Sequence, residues 1–229
     1  MPRKPRMYLP DMPYHVIQRG NNRDATFYAE QDYQFYLDCL YDACSRYKVA
    51  VHAYVLMTNH VHLLMTPATE DSISLTMQSL GRRYVQYVNK QYRRTGTLWE
   101  SRHKASLVDK ENYLLHCCRY IELNPVRAGM VAHPEEYRWS SYACNANGKF
   151  NKIVQTHALY NALGLDATER LEAYRALFRH ELDVSVLSCI RNAAMFSMPT
   201  GDNRFREQIE RVLNRKLGYA KQGRPFKAR

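Results

Sequence analysis

The hydrophobic pattern over roughly the first 145 residues switches repeatedly between a period of two and a period near 3.6, and each switch predicts a change of element. Residues 13–18 (PYHVIQ) alternate as a strand, and RGNNRD follows as a turn carrying two arginines. Over 31–47, Tyr33, Tyr36, Leu37, Leu40, Tyr41 and Cys44 recur at helical spacing. Residues 49–57 are rich in β-branched side chains and predict a strand with Val49, Val51, Ala53, Val55 and Met57 on one face. Thr58-Asn59 turns the chain, and 60–65 returns as a second strand. Val61, Leu63 and Met65 join the buried face, which sends His60 and His62 to the opposite, open face.

A helix is expected over 72–93, capped by Asp71 or Ser72, with Ile73, Met77, Leu80, Tyr84 and Tyr87 as its stripe. Residues 98–108 read as extended. Asp109 then caps a helix reaching about Asn124, where Pro125 disfavours helical geometry at the preceding residue. Strands meeting as hairpins between helices predict an α+β fold: an antiparallel sheet with helices packed on one face, for which the ferredoxin-like split βαβ arrangement is the natural candidate. After Tyr142 the character changes. NANGKFNK is loop-like, 159–180 and 203–217 are helical, and GYAKQGRPFKAR is a basic, flexible tail. The expected division is a first unit over 1–145, a helical extension over 146–217 and a tail over 218–229.

Composition narrows the partners. With 229 residues and 45% hydrophobic side chains, the chain builds a packed core. No apolar run approaches the roughly 20 residues that span a bilayer, and MPRKPRMYLP lacks the apolar stretch of a secretory signal. Six cysteines without a C-x-x-C pair predict reduced thiols, a cytoplasmic setting and no zinc site. A net charge of +11 points to a polyanion, and nucleic acid fits better than a membrane surface because no basic amphipathic helix with a broad apolar face stands out. Eighteen tyrosines lean the same way, since aromatic faces stack on unpaired bases.

Two imidazoles side by side at His60-Val61-His62 can share one divalent ion. Alone, the pair reads better as two solvent-facing histidines on a half-buried strand. The downstream helix changes that weighing: Tyr120 could supply a nucleophile and Asn124, one turn on, a further oxygen ligand, with His116 on neighbouring positions as an unassigned competitor. Such parts suit cutting and rejoining a phosphodiester through a tyrosine-phosphate intermediate. Arg19, Arg23, Arg82, Arg83, Arg93, Arg94, Arg102 and Arg127 are candidate phosphate contacts, each of which could equally be a solvated surface charge.

His60-Val61-His62 looks like the HUH motif, in which a hydrophobic residue separates two histidines. GTLWESRHKASLVDKENYLLHCCRYIELNPVRAGMV, with EEYRWSSY after it, resembles the single-tyrosine HUH transposases, and among them the REP-associated tyrosine transposases, over roughly residues 8–142. The resemblance implies two metal-ligand histidines at His60 and His62, a nucleophile at Tyr120 and a third ligand at Asn124. It implies Mg²⁺ or Mn²⁺ as the cofactor, and single-stranded DNA with a hairpin near the cut as the substrate. It also implies an association with the bacterial nucleoid and the same α+β sandwich. Two alternatives stay open: a protein that grips structured DNA without cleaving it, and a relaxase or replication initiator, which a second tyrosine near Tyr120 in space would favour, a case that Tyr113 is too ordinary to make. Monomer and homodimer are equally compatible with the sequence.

Overall fold

A computed structural model describes residues 8–214; the far end of the 203–217 helix and the 218–229 tail lie outside the described residues. The sheet has four strands, β1 (Tyr14–Arg19), β2 (Val49–Met57), β3 (His60–Pro67) and β4 (Lys104–Leu107). Their spatial order is β2-β3-β1-β4, and every neighbouring pair is antiparallel. Helix α1 (Glu30–Tyr47) joins β1 to β2, and α2 (Ser72–Gln91) joins β3 to β4. This is the split βαβ arrangement that the hairpin pattern predicts. Helices α1 and α2 lie on one face, where Tyr36, Leu40, Leu80 and Tyr84 pack onto Val16, Leu63 and Met65.

The second face is covered rather than open. Helix α3 (Lys110–Glu122) lies on it, with Leu114, Cys117, Cys118, Tyr120 and Ile121 packed against Ala53, Val55, Met57 and Leu64. Asp109 caps α3 as expected, accepting from the backbone N–H groups of Glu111 and Asn112. The cause of this second core lies in β2. The strand register slips between Val51 and Ala53, a β-bulge at His52. The slip inverts the alternation, so Val49 and Val51 face α1 while Ala53, Val55 and Met57 face α3. The expectation that all five share one face therefore fails, because one extra residue exchanges the two faces of a strand. His52 itself is held by Gln155 O at 2.7 Å and Thr66 Oγ1 at 2.9 Å.

Pro125 does not end the helical path. After a kink at Leu123 the chain continues as α4 (Asn124–Arg127), with Pro125 early enough in the new turn that its missing N–H does little harm. Ile121 O, which Pro125 cannot serve, accepts instead from Asn124 Nδ2 at 3.2 Å, and the same amide nitrogen reaches Tyr120 O at 3.0 Å.

From Tyr142 on, the described residues form five helices: α5 (Tyr142–Asn147), α6 (Ala158–Asn161), α7 (Ala167–Ala176), α8 (Val184–Phe196) and α9 (Asn203–Val212). The predicted 159–180 helix is broken into α6 and α7, and Asp166 caps the second piece. Tyr142, Tyr174, Leu182 and Ile190 complete the core that holds Tyr120, so that core crosses position 146. A buried carboxylate fastens these helices to α3. Glu122 accepts from Ser141 Oγ at 2.6 Å, Asn145 Nδ2 at 2.9 Å and Tyr174 Oη at 2.8 Å, and burial pushes its carboxyl up to about 7.

Candidate active site

Because β1 and β3 pair antiparallel with Ile17 opposite His62 and Arg19 opposite His60, the residues of β1 at 15, 17 and 19 share the α3 face with both histidines. The structure brings His60, His62 and Tyr120 together. The His60 and His62 ring centroids are 5.1 Å apart, and the Tyr120 ring lies 6.0 Å from His62 at an interplanar angle of 71°. His62 and Tyr120 are both buried, so the expected open face is corrected: Tyr120 and α3 cover it.

A third imidazole, not foreseen from the sequence, completes the cluster. His15 is fully buried, stacks on His62 at 5.0 Å and meets the Tyr120 ring edge-on at 5.7 Å. Its Nε2 lies 2.8 Å from His62 Nδ1. The only sequence signal was its alternate position in PYHVIQ, two residues from Ile17 and four from Arg19; that face acquires meaning only once β1 pairs with β3.

The hydrogen bonds show which ring nitrogens are engaged. Asn59 Nδ2 donates to Arg23 O at 2.8 Å, which leaves Asn59 Oδ1 as an acceptor for His60 Nδ1–H at 2.6 Å. The Nδ1 side of His62 is taken by His15. Among the described residues neither Nε2 makes a hydrogen bond, and neither is a buried, unpartnered atom. Burial, with Arg19 nearby, pulls His60 down to about 4; burial, with His15, His60, Arg127 and Arg19 nearby, pulls His62 well below its usual value. Both rings are therefore neutral at neutral pH and present lone-pair capacity, the state a divalent ion requires.

Asn124 spends its amide nitrogen on the α3 carbonyls, and no hydrogen bond engages its oxygen among the described residues. No hydrogen bond joins it to His60 or His62 there. No group of three His, Cys, Asp or Glu side chains forms a metal-sized cluster among the described residues. His116 lies against Tyr113 at 6.1 Å and has no ring contact with the cluster. Tyr113 packs by His116 and Cys189.

The arginines divide by position. Arg127 folds back over Tyr120: its guanidinium carbon lies 4.3 Å from the ring centroid, and Nη2 donates to Tyr120 O. Arg19 and Arg23 are exposed at the His60 end of the sheet. The loop carrying Arg23 is tight: Asn22 and Arg23 both take positive φ, and a Cβ on Gly20 would lie 2.3 Å from Asp24 O. Exposed Arg102 flanks the same end, since Glu100 N bonds to Arg19 O, and Arg93 is exposed just past the end of α2. Arg94 there donates to the hydroxyl of Tyr28. Arg82 and Arg83 sit on α2, across the sheet from Tyr120, and Arg83 pairs with Asp42 at 2.9 Å; these two are not brought to the site.

A family model described as "Transposase IS200 like" matches residues 8–124. Among solved structures, that of a REP-associated tyrosine transposase bound to a REP hairpin aligns with a TM-score of 0.55 at 18% identity, over 69% of this chain and 93% of that one, a likeness of fold. A candidate transposase of Deinococcus radiodurans R1 aligns at 25% identity over 52% of this chain and 95% of its own, with a TM-score of 0.37 too low to bear on the site. No curated protein matches. Among the described residues no helix is long and apolar enough to cross a membrane.

Proposed function

The chain belongs to the IS200-like family of transposases, and on that premise we propose that it cleaves and rejoins single-stranded DNA at imperfect, REP-like hairpins, with Tyr120 as the nucleophile. The observation that carries this reading is the approach of the Tyr120 ring to 6.0 Å from His62 within a single chain. It supports a site completed in one protomer, without a tyrosine from a second copy.

In the proposed reaction Tyr120 attacks the scissile phosphorus in line. The bond to the 3′ oxygen breaks, leaving a 5′-phosphotyrosine and a free 3′-hydroxyl. The phosphotyrosine keeps the energy of the broken ester, so a second 3′-hydroxyl reverses the step and joins strands without ATP. A tyrosine hydroxyl has an ordinary pKa of about 10, so little phenolate is present at neutral pH. The chain meets this difficulty with fixed groups. Arg127 holds the ring from one face while His15 and His62 meet it edge-on, which limits the phenol to a narrow range of directions.

His60 and His62 would hold Mg²⁺ or Mn²⁺ through their free Nε2 atoms, with Asn124 Oδ1 as a further oxygen donor. When bound, such an ion polarises the phosphate and offsets the charge that develops on it. The donor set fits a hard divalent ion: two neutral imidazoles, an available amide oxygen and room for water, without thiolate. Arg19, Arg23, Arg93, Arg94 and Arg102 would grip the strand and hairpin backbone at the His60 end. The nine-tenths coverage of a hairpin-bound transposase by this fold supports a hairpin as substrate.

The test is a labelled hairpin oligonucleotide incubated with Mn²⁺. Wild-type protein is expected to cut it once and to rejoin it to an added strand. Tyr120→Phe is expected to bind with unchanged affinity and to do neither. Equal cutting by both proteins would overturn the assignment of Tyr120; binding without cutting by both would favour a protein that only grips structured DNA.

A further inference from the structure

Resting on the metal site proposed above, we infer that His15 is a positioning residue: its Nε2 accepts the Nδ1 proton of His62 and so turns the Nε2 lone pair of His62 toward the cation. A neutral imidazole has one N–H and one lone pair, and whichever nitrogen is protonated cannot ligate. His60 already has a partner that settles this choice, since Asn59 Oδ1 can only accept. Among the described residues no amide or carboxylate is hydrogen-bonded to His62. Its Nδ1 meets His15 there, at 2.8 Å, with the two rings inclined by only 22°. The same contact drawn in the other direction would place the proton on His62 Nε2 and close it to a metal.

Three features single out His15 as more than a core filler. It is fully buried, so no water can take over its bond to His62. Its other nitrogen, Nδ1, is buried with no partner, a cost that an apolar side chain at this position would avoid. Its ring also touches Tyr120 edge-on, so a single side chain sets the orientation of the ligand and the packing of the phenol. His15 does not itself ligate: Nε2 is spent on His62 and Nδ1 is sealed in the core.

The experiment compares the full-length protein with His15→Leu, which fills the space without an acceptor, and His15→Gln, whose amide oxygen reaches the same point. Mn²⁺ affinity is read from the electron-spin resonance of the free ion, and the tautomer of His62 from long-range proton–nitrogen correlations in the metal-free protein. The expected result is protonation of His62 on Nδ1, a loss of Mn²⁺ affinity of about 10–100-fold in His15→Leu, and most of that loss restored in His15→Gln. Protonation of wild-type His62 on Nε2, or a folded His15→Leu protein within about twofold of wild type, would overturn the inference. If His15→Leu does not fold, the wild-type tautomer and the affinity of His15→Gln decide. Neither readout involves strand cleavage. Weakened Mn²⁺ binding in a protein whose Tyr120 never reacts would retain the role of His15 and remove the cleavage reading. Unchanged binding beside a reactive Tyr120 would do the reverse.

Discussion

The guanidinium of Arg127 lies 4.3 Å from the centre of the Tyr120 ring and also donates to the Tyr120 carbonyl oxygen, so one side chain seven residues downstream clamps both ends of the tyrosine. The clamp exists because the chain turns through α4 instead of leaving the helix at Pro125. A cation over an aromatic face is worth about 0.5–2 kcal/mol. Arg127→Ala is therefore expected to slow single-turnover strand cleavage about tenfold, equivalent to ~1.4 kcal/mol. Arg127→Lys, which keeps the charge but loses the planar stack and the fork, should recover only part of the rate. Cleavage at the wild-type rate in Arg127→Ala would show that the clamp is incidental.

Removing a proposed ligand should separate metal binding from folding. His60 is half-buried at the end of β3, and its loss leaves the core intact. His60→Ala is expected to lower Mn²⁺ affinity more than about 100-fold, beyond the effect of losing an outer partner, with an unchanged circular dichroism spectrum. Retained Mn²⁺ affinity would exclude His60 as a ligand.

Acid should destabilise the metal-free protein. Burial pulls His15 to about 3 and His52 and His60 to about 4, all below the ordinary 6.5 of the unfolded chain. Between those values the unfolded chain binds more protons, so stability falls as pH drops from 6.5 toward 4. Glu122 acts in the opposite sense: its folded value of about 7 lies above that of a free carboxyl, so its contribution is present in acid and lost as pH rises through 7. Urea midpoints at pH 4.5 and 6.5 should show the histidines prevailing, with the lower midpoint at pH 4.5. A higher midpoint at pH 4.5 would contradict the burial of these rings.

The Glu122 junction gives a test of how the C-terminal helices are held. Tyr174→Phe removes the donor to Oε2 while keeping the packing. The expected cost is about 1–3 kcal/mol in urea unfolding, larger at pH 8 than at pH 6, because the carboxylate left short of a donor is ionised at the higher pH. A cost independent of pH would mean that Glu122 is not the group affected.

How much of this could be read from the sequence depends on the range of the interactions involved. The elements flanking the turn at Thr58-Asn59, the Asp109 cap and the alternation of β1 follow from local rules, and so did the pairing of His60 with His62 on one face. The second core was hidden by the bulge at His52, because nothing in VAVHAYVLM announces which residue is the extra one. The helix expected to stop near Asn124 does end at Glu122, but the short α4 that follows was not foreseen, since a proline early in a new turn looks the same in sequence as one that stops a helix. His15 stayed invisible for a different reason: its meaning depends on pairing with a strand more than forty residues away. Arg127, chosen for its charge alone, proved to pack on the nucleophile candidate as well.

The proposed reaction turns on a covalent bond between Tyr120 and the 5′ phosphate of a cut strand. The direct measurement is mass spectrometry of the peptide containing Tyr120 after reaction with a hairpin oligonucleotide and Mn²⁺. The expected result is an added nucleotide phosphate on Tyr120, absent from Tyr120→Phe and from His60→Ala. A cut strand with that peptide unmodified, or with the adduct on another side chain, would contradict it.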